Sequence, residues 1–325
     1  VTVTFPLTGA KAEALGLTAV RALAWTTTPW TLPTNLALAV GPDIEYVVLP
    51  AGPGGAADVH QIAGTADAAV EASSHRYLLA RELLGGYVKD LGYESLDDAL
   101  AAVDATVRGA DLEDVTYDRL FDYYADAETY GTENAWRILV DDYVTVSDGT
   151  GIVHQAPAYG EDDQRVAGAA GIPTILSLDD GGRFLPNVTD VAGQLWMDAN
   201  TPLIRLLRAE GRLLREQSYV HSYPHCWRCR NPLIYKAVSS WFIRVTDIKD
   251  DLLANNEQIT WVPENVKHGQ FGKWLEGARD WSISRNRYWG SPIPIWKSDD
   301  PNFPRVDVYG SLAEMEADFG RLPRN

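Results

Sequence analysis

Four hydroxyls fall within six residues in Trp25-Thr26-Thr27-Thr28-Pro29-Trp30-Thr31-Leu32-Pro33-Thr34-Asn35. Pro29 and Pro33 fix φ at two points, so the segment is partly rigid before any ligand arrives. A row of neutral donors and acceptors suits a ligand with many hydroxyls, such as a ribose. The competing reading is a Thr-rich strand end, because threonine favours strands on its own account.

A second group lies in Gly149-Thr-Gly-Ile-Val-His154-Gln-Ala-Pro-Ala-Tyr-Gly-Glu-Asp162-Asp163. The glycines fit a hairpin turn better than a phosphate loop, since no G-x-G-x-x-G or Walker pattern follows. His154 ends a strand, where a histidine is a candidate base and equally a satisfied structural side chain. Asp162 and Asp163 stand where a helix begins. Capping and the helix dipole account for one carboxylate. A second, facing a pocket, can hold an ammonium group through charge-assisted hydrogen bonds. A third group, His221-Ser-Tyr-Pro-His225-Cys226-Trp-Arg-Cys229, contains the two cysteines of the chain. C-x-x-C is half of a four-ligand zinc site whose partners lie elsewhere, part of a local Cys/His site, or two free thiols. Finally, Gly277 to Trp296 mixes Trp281, Trp289 and Trp296 with Arg279, Arg285 and Arg287, a composition that stacks bases, binds phosphate or packs an interface.

The elements that must position these groups are read from pattern. Val1 to Phe5, Ala22 to Thr28, Leu36 to Val40 and Glu45 to Leu49 read as strands, with a turn or mobile loop at Gly52-Pro-Gly-Gly55. His75 to Leu84 reads as a short helix stopped by Gly85-Gly86. The acidic stretch from Glu94 to Glu133 reads as short helices and loops. Tyr143 to Val146 and Gly151 to His154 read as strands around a turn, followed by a helix from Glu161 to Gly171. Pro202 to Glu210 is the clearest helix, with Thr201 as N-cap, Pro202 in the first helical position and Leu203, Leu206 and Leu207 on one face. Beyond Glu216 the composition turns rich in Trp, Tyr, Arg and Pro, which places a boundary there.

The length of 325 residues holds one large or two medium domains. No apolar run approaches the ~18 residues of a membrane span, and no basic leader opens the chain. The first residue is not Met and lies in a strand, which suggests a piece of a longer chain. One C-x-x-C pair fits a reducing, cytoplasmic compartment better than a secreted one. The net charge of −17 argues against a surface that grips nucleic-acid backbone broadly.

Taken together, the segments resemble the class I aminoacyl-tRNA synthetases of the branched aliphatic amino acids. Trp281-Ser-Ile-Ser-Arg-Asn-Arg-Tyr-Trp-Gly290 looks like the stretch where such chains re-enter the catalytic domain. Trp25-Thr-Thr-Thr-Pro-Trp-Thr-Leu-Pro33 looks like the isoleucyl branch's editing peptide; the valyl and leucyl branches have Arg where Thr28 stands. Gly149 to Asp163 resembles the second half of the same pocket.

The resemblance implies a mixed α/β fold: a β-barrel-like editing domain with peripheral helices over 1–215. Residues 216–325 would be an incomplete return segment leading to a Rossmann-type catalytic domain. It implies hydrolysis of valine mischarged onto isoleucine tRNA. Asp163 would anchor the substrate ammonium. Trp25, Thr26, Thr27 and Thr28 would surround the terminal adenosine and its ester. Thr31 and His154 would limit the side-chain pocket, with His154 as wall or base, and Asn35 would lie close by. The HIGH and KMSKS signatures are absent, so ATP and magnesium would serve only a catalytic domain outside this chain, and editing itself would need no cofactor. Zinc would be held by Cys226 and Cys229 only together with an upstream pair that this sequence lacks. The implied partners are the acceptor end of isoleucine tRNA carrying valine and the rest of the synthetase, with no membrane. Relatives often carry a second histidine after the Ala-Pro; here Ala158-Tyr159-Gly160 stands instead. The competing readings are a valyl or leucyl editing domain, a free-standing deacylase, and a non-catalytic RNA-binding β-barrel.

Overall fold

The computed structural model describes residues 1–53, 75–285 and 290–322. Gly54 and Gly55 of the early turn, and Asn286 to Trp289 of the aromatic segment, lie outside the described residues. The chain divides into two compact units, Val1–Ala237 and Val238–Asn325. The compositional change at Glu216 falls inside the first of these, because the segment beyond it packs back: Tyr219 meets Trp25 edge-on, and Ala237 donates its N–H to Ala158 at 2.7 Å.

The first unit is mixed α/β around one large sheet of ten described strands. These are β1 (Thr2–Thr8), β2 (Val20–Trp25), β3 (Ala37–Val40), β4 (Glu45–Pro50), β5 (Arg76–Ala80), β6 (Ala105–Arg108), β7 (Thr116–Tyr117), β8 (Arg137–Val140), β9 (Ile152–Gln155) and β10 (Leu213–Arg215). Their order is β6-β4-β5-β2-β1-β7-β8-β3-β9, with β10 also on β1. The β2–β5 and β3–β8 pairs are parallel; the others are antiparallel. β3 and β4 are apolar on both faces, as expected of strands covered on both sides. Phe5, Leu38, Tyr46 and Leu78 fill the main core. The segment entering β9 returns to the other arm of the sheet: Ala80 donates its N–H to Thr150 at 2.9 Å, and the Tyr46 hydroxyl donates to the Gly151 carbonyl at 2.6 Å. Gly151 has φ +73°, and a Cβ there would lie 2.5 Å from that of Ala80, so glycine is required for this approach.

Three sequence expectations are corrected. Arg76–Ala80 is a strand rather than a helix, with only a 3₁₀ turn over Arg81–Gly86. Tyr-Leu-Leu-Ala is buried between β2 and β4, and pairing on both edges overrides a helical pattern. Tyr143–Val146 forms no strand; β9 pairs instead with β3, whose other neighbour is β8. The clear helix runs Asn200–Ala209, so neither Thr201 nor Pro202 begins it. Its Leu203 and Leu207 are buried as expected.

The second unit holds short helices at Lys249–Glu257, Gln270–Glu276 and Leu312–Phe319. Two two-stranded ribbons join them: Phe242–Ile243 with Trp281–Ser282, and Ile295–Lys297 with Val306–Val308. Among the described residues no helix is long and apolar enough to cross a membrane.

Candidate functional site

The threonine segment leaves the end of β2 and closes into a 3₁₀ turn over Pro29–Thr34. Its hydroxyls form a chain. Thr28 N–H donates to Thr26 Oγ1 at 3.0 Å, Thr26 and Thr28 hydroxyls lie 3.1 Å apart, and Thr31 Oγ1 donates to the Thr28 carbonyl at 2.9 Å. Thr26 and Thr31 are buried, Thr28 is half-buried and Thr27 is exposed. An unforeseen residue pins this turn from outside: Asn200, at the start of its helix, accepts the Trp30 N–H at 2.9 Å. A polar residue near a helix start is visible in the sequence, but its bond to a residue 170 positions away is not.

β9 brings His154 to the same place. Its Nε2 lies 2.9 Å from Thr31 Oγ1 and its Nδ1 lies 2.9 Å from Asn35 Nδ2. The Asn35 amide is oriented by two further bonds, Nδ2 to the Ala37 carbonyl at 2.9 Å and Tyr117 hydroxyl to Oδ1 at 2.8 Å. Asn35 therefore donates to Nδ1, which assigns the proton of neutral imidazole to Nε2, where it is donated to Thr31. Burial pushes the His154 pKa down to about 3. Both ring nitrogens are occupied and the ring stays neutral at working pH. With Nδ1 accepting from Asn35 and Nε2 donating to Thr31, the ring is held in one orientation by the fold. Tyr117, supplied by a two-residue strand, is the partner that the sequence reading missed.

Asp163 lies in the first turn of the helix Glu161–Ala169. Its Oδ2 accepts the Ala156 N–H at 2.9 Å, two residues beyond His154. Gly160 makes room for this: a Cβ there would sit 2.7 Å from the Asp163 carboxyl carbon. The two neighbouring carboxylates separate in role. Asp162 pairs with Arg165, which also forks onto Asp141 at 2.8 and 2.9 Å. Among the described residues no cation pairs with Asp163. Burial raises its pKa to about 6, opposed by the Ala156 bond and assisted by the charge of Asp162. A carboxylate held without a counter-ion is suited to receive a cationic ligand.

Trp25, Thr26 and Thr27 form one wall of a 330 Å³ cavity whose other wall is the turn Ser147–Gly151. Gly149, at φ +75°, lets that turn approach the Trp25 ring to within van der Waals distance. Trp25, Thr26 and Thr27 line the cavity, hydrogen bonds join Thr26 through Thr28 and Thr31 to His154 and Asn35, and Asp163 is tied to the segment after β9 through the Ala156 N–H. Cys226 and Cys229 sit apart from it, at a hairpin in which Arg230 N–H donates to Cys226 O. Both are free thiols. Backbone donors around Cys229 and Arg228 lower the Cys226 pKa. Among the described residues no three His, Cys, Asp or Glu side chains come together as metal ligands, so His221 and His225 do not complete a site. Two thiolates are half of a tetrahedral set, and the residues present do not fit a closed zinc centre.

The chain belongs to the class I tRNA synthetases: the family model described as tRNA synthetases class I (I, L, M and V) matches residues 43–319. It is 74% identical over its full 325 residues to the isoleucine–tRNA ligase of Leifsonia xyli subsp. xyli, of which it covers 29%. It is 53% identical over 319 residues to that of Tropheryma whipplei strain Twist, covering 98% of this chain and 28% of the relative. The chain thus spans less than a third of the length of these relatives. A crystal structure of the Plasmodium knowlesi cytosolic leucyl-tRNA synthetase editing domain aligns with 65% of this chain and 94% of its own, at 11% identity and a TM-score of 0.44.

Proposed function

We propose that this chain is the hydrolytic editing portion of an isoleucine–tRNA ligase, which removes valine from mischarged isoleucine tRNA. The observation that carries the reading is a juxtaposition within one family member. The Thr26–Thr28–Thr31–His154–Asn35 hydrogen-bond chain ends at β9, and Ala156, two residues beyond His154, donates to the Asp163 carboxylate, which pairs with no cation among the described residues. The sheet is read as a barrel-like wall around that region, and the second unit as the return towards a Rossmann-type catalytic domain that would use ATP and magnesium. The parent would work in the cytoplasm.

The need for such a module comes from pocket energetics. One missing methylene is worth only ~1–3 kcal/mol, a general magnitude already established for the isoleucine–valine pair itself and not a result of this structure. A second cavity that admits valine and rejects isoleucine removes the error. In this reading the ribose of the terminal adenosine lies along the Thr26–Thr28 hydroxyls, and Asp163 holds the α-ammonium group. Thr31 and His154, locked to each other, set the depth available to the side chain. Water adds to the ester carbonyl carbon, the bond from that carbon to the ribose oxygen breaks, and the water proton passes to the departing oxygen. No Ser-His-Asp or Cys-His arrangement is present among these residues, so positioning and oriented dipoles supply the rate.

The test is deacylation of valyl- and isoleucyl-charged isoleucine tRNA beside the Asp163→Ala variant. Faster loss of valine, abolished by the substitution, is expected. If neither ester is cleaved, a valyl-adenosine ester analogue decides the matter. Binding that Asp163→Ala removes keeps the pocket, and absence of binding refutes it.

A further inference from the structure

Between Gln217 and Ala237 this acidic chain contains no Asp or Glu. The segment carries a row of rings at every second residue. Tyr219, His221, Tyr223 and His225 have successive centroid separations of 5.7, 6.0 and 6.0 Å. At one end Tyr219 meets Trp25 at 5.2 Å, and these two with Thr26, Thr27 and His221 line a 360 Å³ groove. That groove shares Trp25, Thr26 and Thr27 with the candidate cavity, so it leads directly to it. At the other end a hairpin closes through Cys226 N–H to Asn231 O and Leu233 N–H to Pro224 O. Its tip presents Trp227, 76% exposed, with Arg228 over the ring at 5.0 Å and Arg230 beside it. Lys236 is paired with Asp180, but among the described residues no carboxylate pairs with Arg228 or Arg230. Tyr223 anchors the row: its ring stacks on Trp196 and its hydroxyl donates to Leu233 O at 2.9 Å.

We infer that this row is the track along which the single-stranded 3′ end of the RNA reaches the cavity, with phosphates at Arg228 and Arg230 and bases against Trp227, His221 and Tyr219. The inference rests on the editing function proposed above and adds the surface that would deliver its substrate. Each component has a physical reason. Aromatic faces hold unpaired bases without regard to sequence, and unpaired arginines beside them supply the positive charge that a phosphate chain needs. Carboxylates elsewhere on a chain of net charge −17 disfavour RNA, and the acid-free segment 217–237, which begins at the groove, offers the strand a path. The seven residues from Tyr219 to His225, fully extended, span about 20 Å, enough for several nucleotides.

The experiment measures binding of a short single-stranded RNA ending in CCA to the full chain by fluorescence anisotropy across a salt series. Unchanged circular dichroism serves as the folding control. Tyr219→Ala with His221→Ala is expected to weaken binding at least about five-fold, the lower end for one lost stacking contact. Arg228→Gln with Arg230→Gln is expected to reduce the magnitude of the log–log salt slope by about 1.4, two single-strand phosphate contacts. The arginine variant should still hydrolyse a valyl-adenosine ester at the original rate, because Arg228 and Arg230 line neither the groove nor the cavity. Unchanged RNA affinity and slope, or no measurable RNA binding by the original chain, overturns the track. Failure of the original chain to cleave the small ester, with the RNA results as expected, instead overturns the hydrolytic reading and leaves the track standing.

Discussion

Replacing Asp163 by Asn should make the protein more stable and less active. Its carboxyl pKa stands at about 6 against an ordinary 3.8, chiefly because burial penalises the charge. At about 1.36 kcal/mol per pH unit, that interval is a gross penalty of about 3 kcal/mol for ionising Asp163 in the folded state. The group is only partly buried, and the helix N-terminus attracts the charge by about 0.3–1 kcal/mol, so a net ~1–2 kcal/mol is the better figure. The sign follows from proton counting. Between pH 3.8 and 6 the folded protein holds a proton on Asp163 that the unfolded chain has released, so stability falls as pH rises through this window. Asparagine is neutral throughout, and its Oδ1 can accept the Ala156 N–H. The advantage of Asp163→Asn should therefore be complete at pH 8 and shrink to about a third near pH 4.5. Urea midpoints of the two proteins at both pH values test this, with valyl-tRNA deacylation assayed alongside. Equal midpoints at pH 8, or a less stable variant there, would refute the argument that this carboxylate is kept ionised at the expense of the fold. Retained deacylation would refute its role as the ammonium anchor.

Other expectations follow from the same region. Thr31→Val keeps the shape but removes the acceptor for the His154 Nε2–H, leaving a buried donor unpaired. Stability should fall by about 1–3 kcal/mol by chemical denaturation, and the valine-over-isoleucine preference should narrow. Gly160→Ala is compatible with the backbone, at φ −143° and ψ 140°, yet its Cβ collides with the Asp163 carboxyl. Deacylation should drop at least about ten-fold, because the carboxyl is pushed from the position in which it would meet the substrate; an unchanged rate would count against that placement. For zinc, dialysis against the metal followed by chelator release should give well under one equivalent per chain, since only two thiolates are placed together.

Much of the site was visible in the sequence because its chemistry is local. The threonines, the two prolines, His154 and the Asp162–Asp163 pair sit in short runs whose residue types announce hydrogen bonding or charge. What was not visible depends on pairing over long separations. Arg76–Ala80 has a helical look, and only β2 on one edge and β4 on the other make it a strand. β6 and β7 were hidden in the acidic stretch because they are short edge or bridging pieces with half-exposed residues. The hydrogen-bond roles of Tyr117 and Asn200 were unreadable for the same reason: each reaches a partner more than eighty residues away. Splitting Asp162 from Asp163 needed the position of Arg165 and the room left by Gly160, neither of which follows from two adjacent carboxylates.

The register of β1 has a consequence for how the chain is made. Thr2 and Val3 pair with Trp25 and Ala24 on one edge, and with Arg215 and Leu213 on the other. The first edge can close as soon as a hairpin's length has emerged. The second waits for nearly two hundred further residues, roughly 10–40 s at about 5–20 residues per second. Through that interval the Thr2–Val3 end of β1 stands with its backbone groups unpaired on one edge, even after β7 has paired with Leu7 and Thr8, a period when nascent chains can pair with one another. Assembly of this unit is therefore timed by its last strand, and slowing translation just before Leu213 should lower the yield of native protein more than the same delay placed after Arg215.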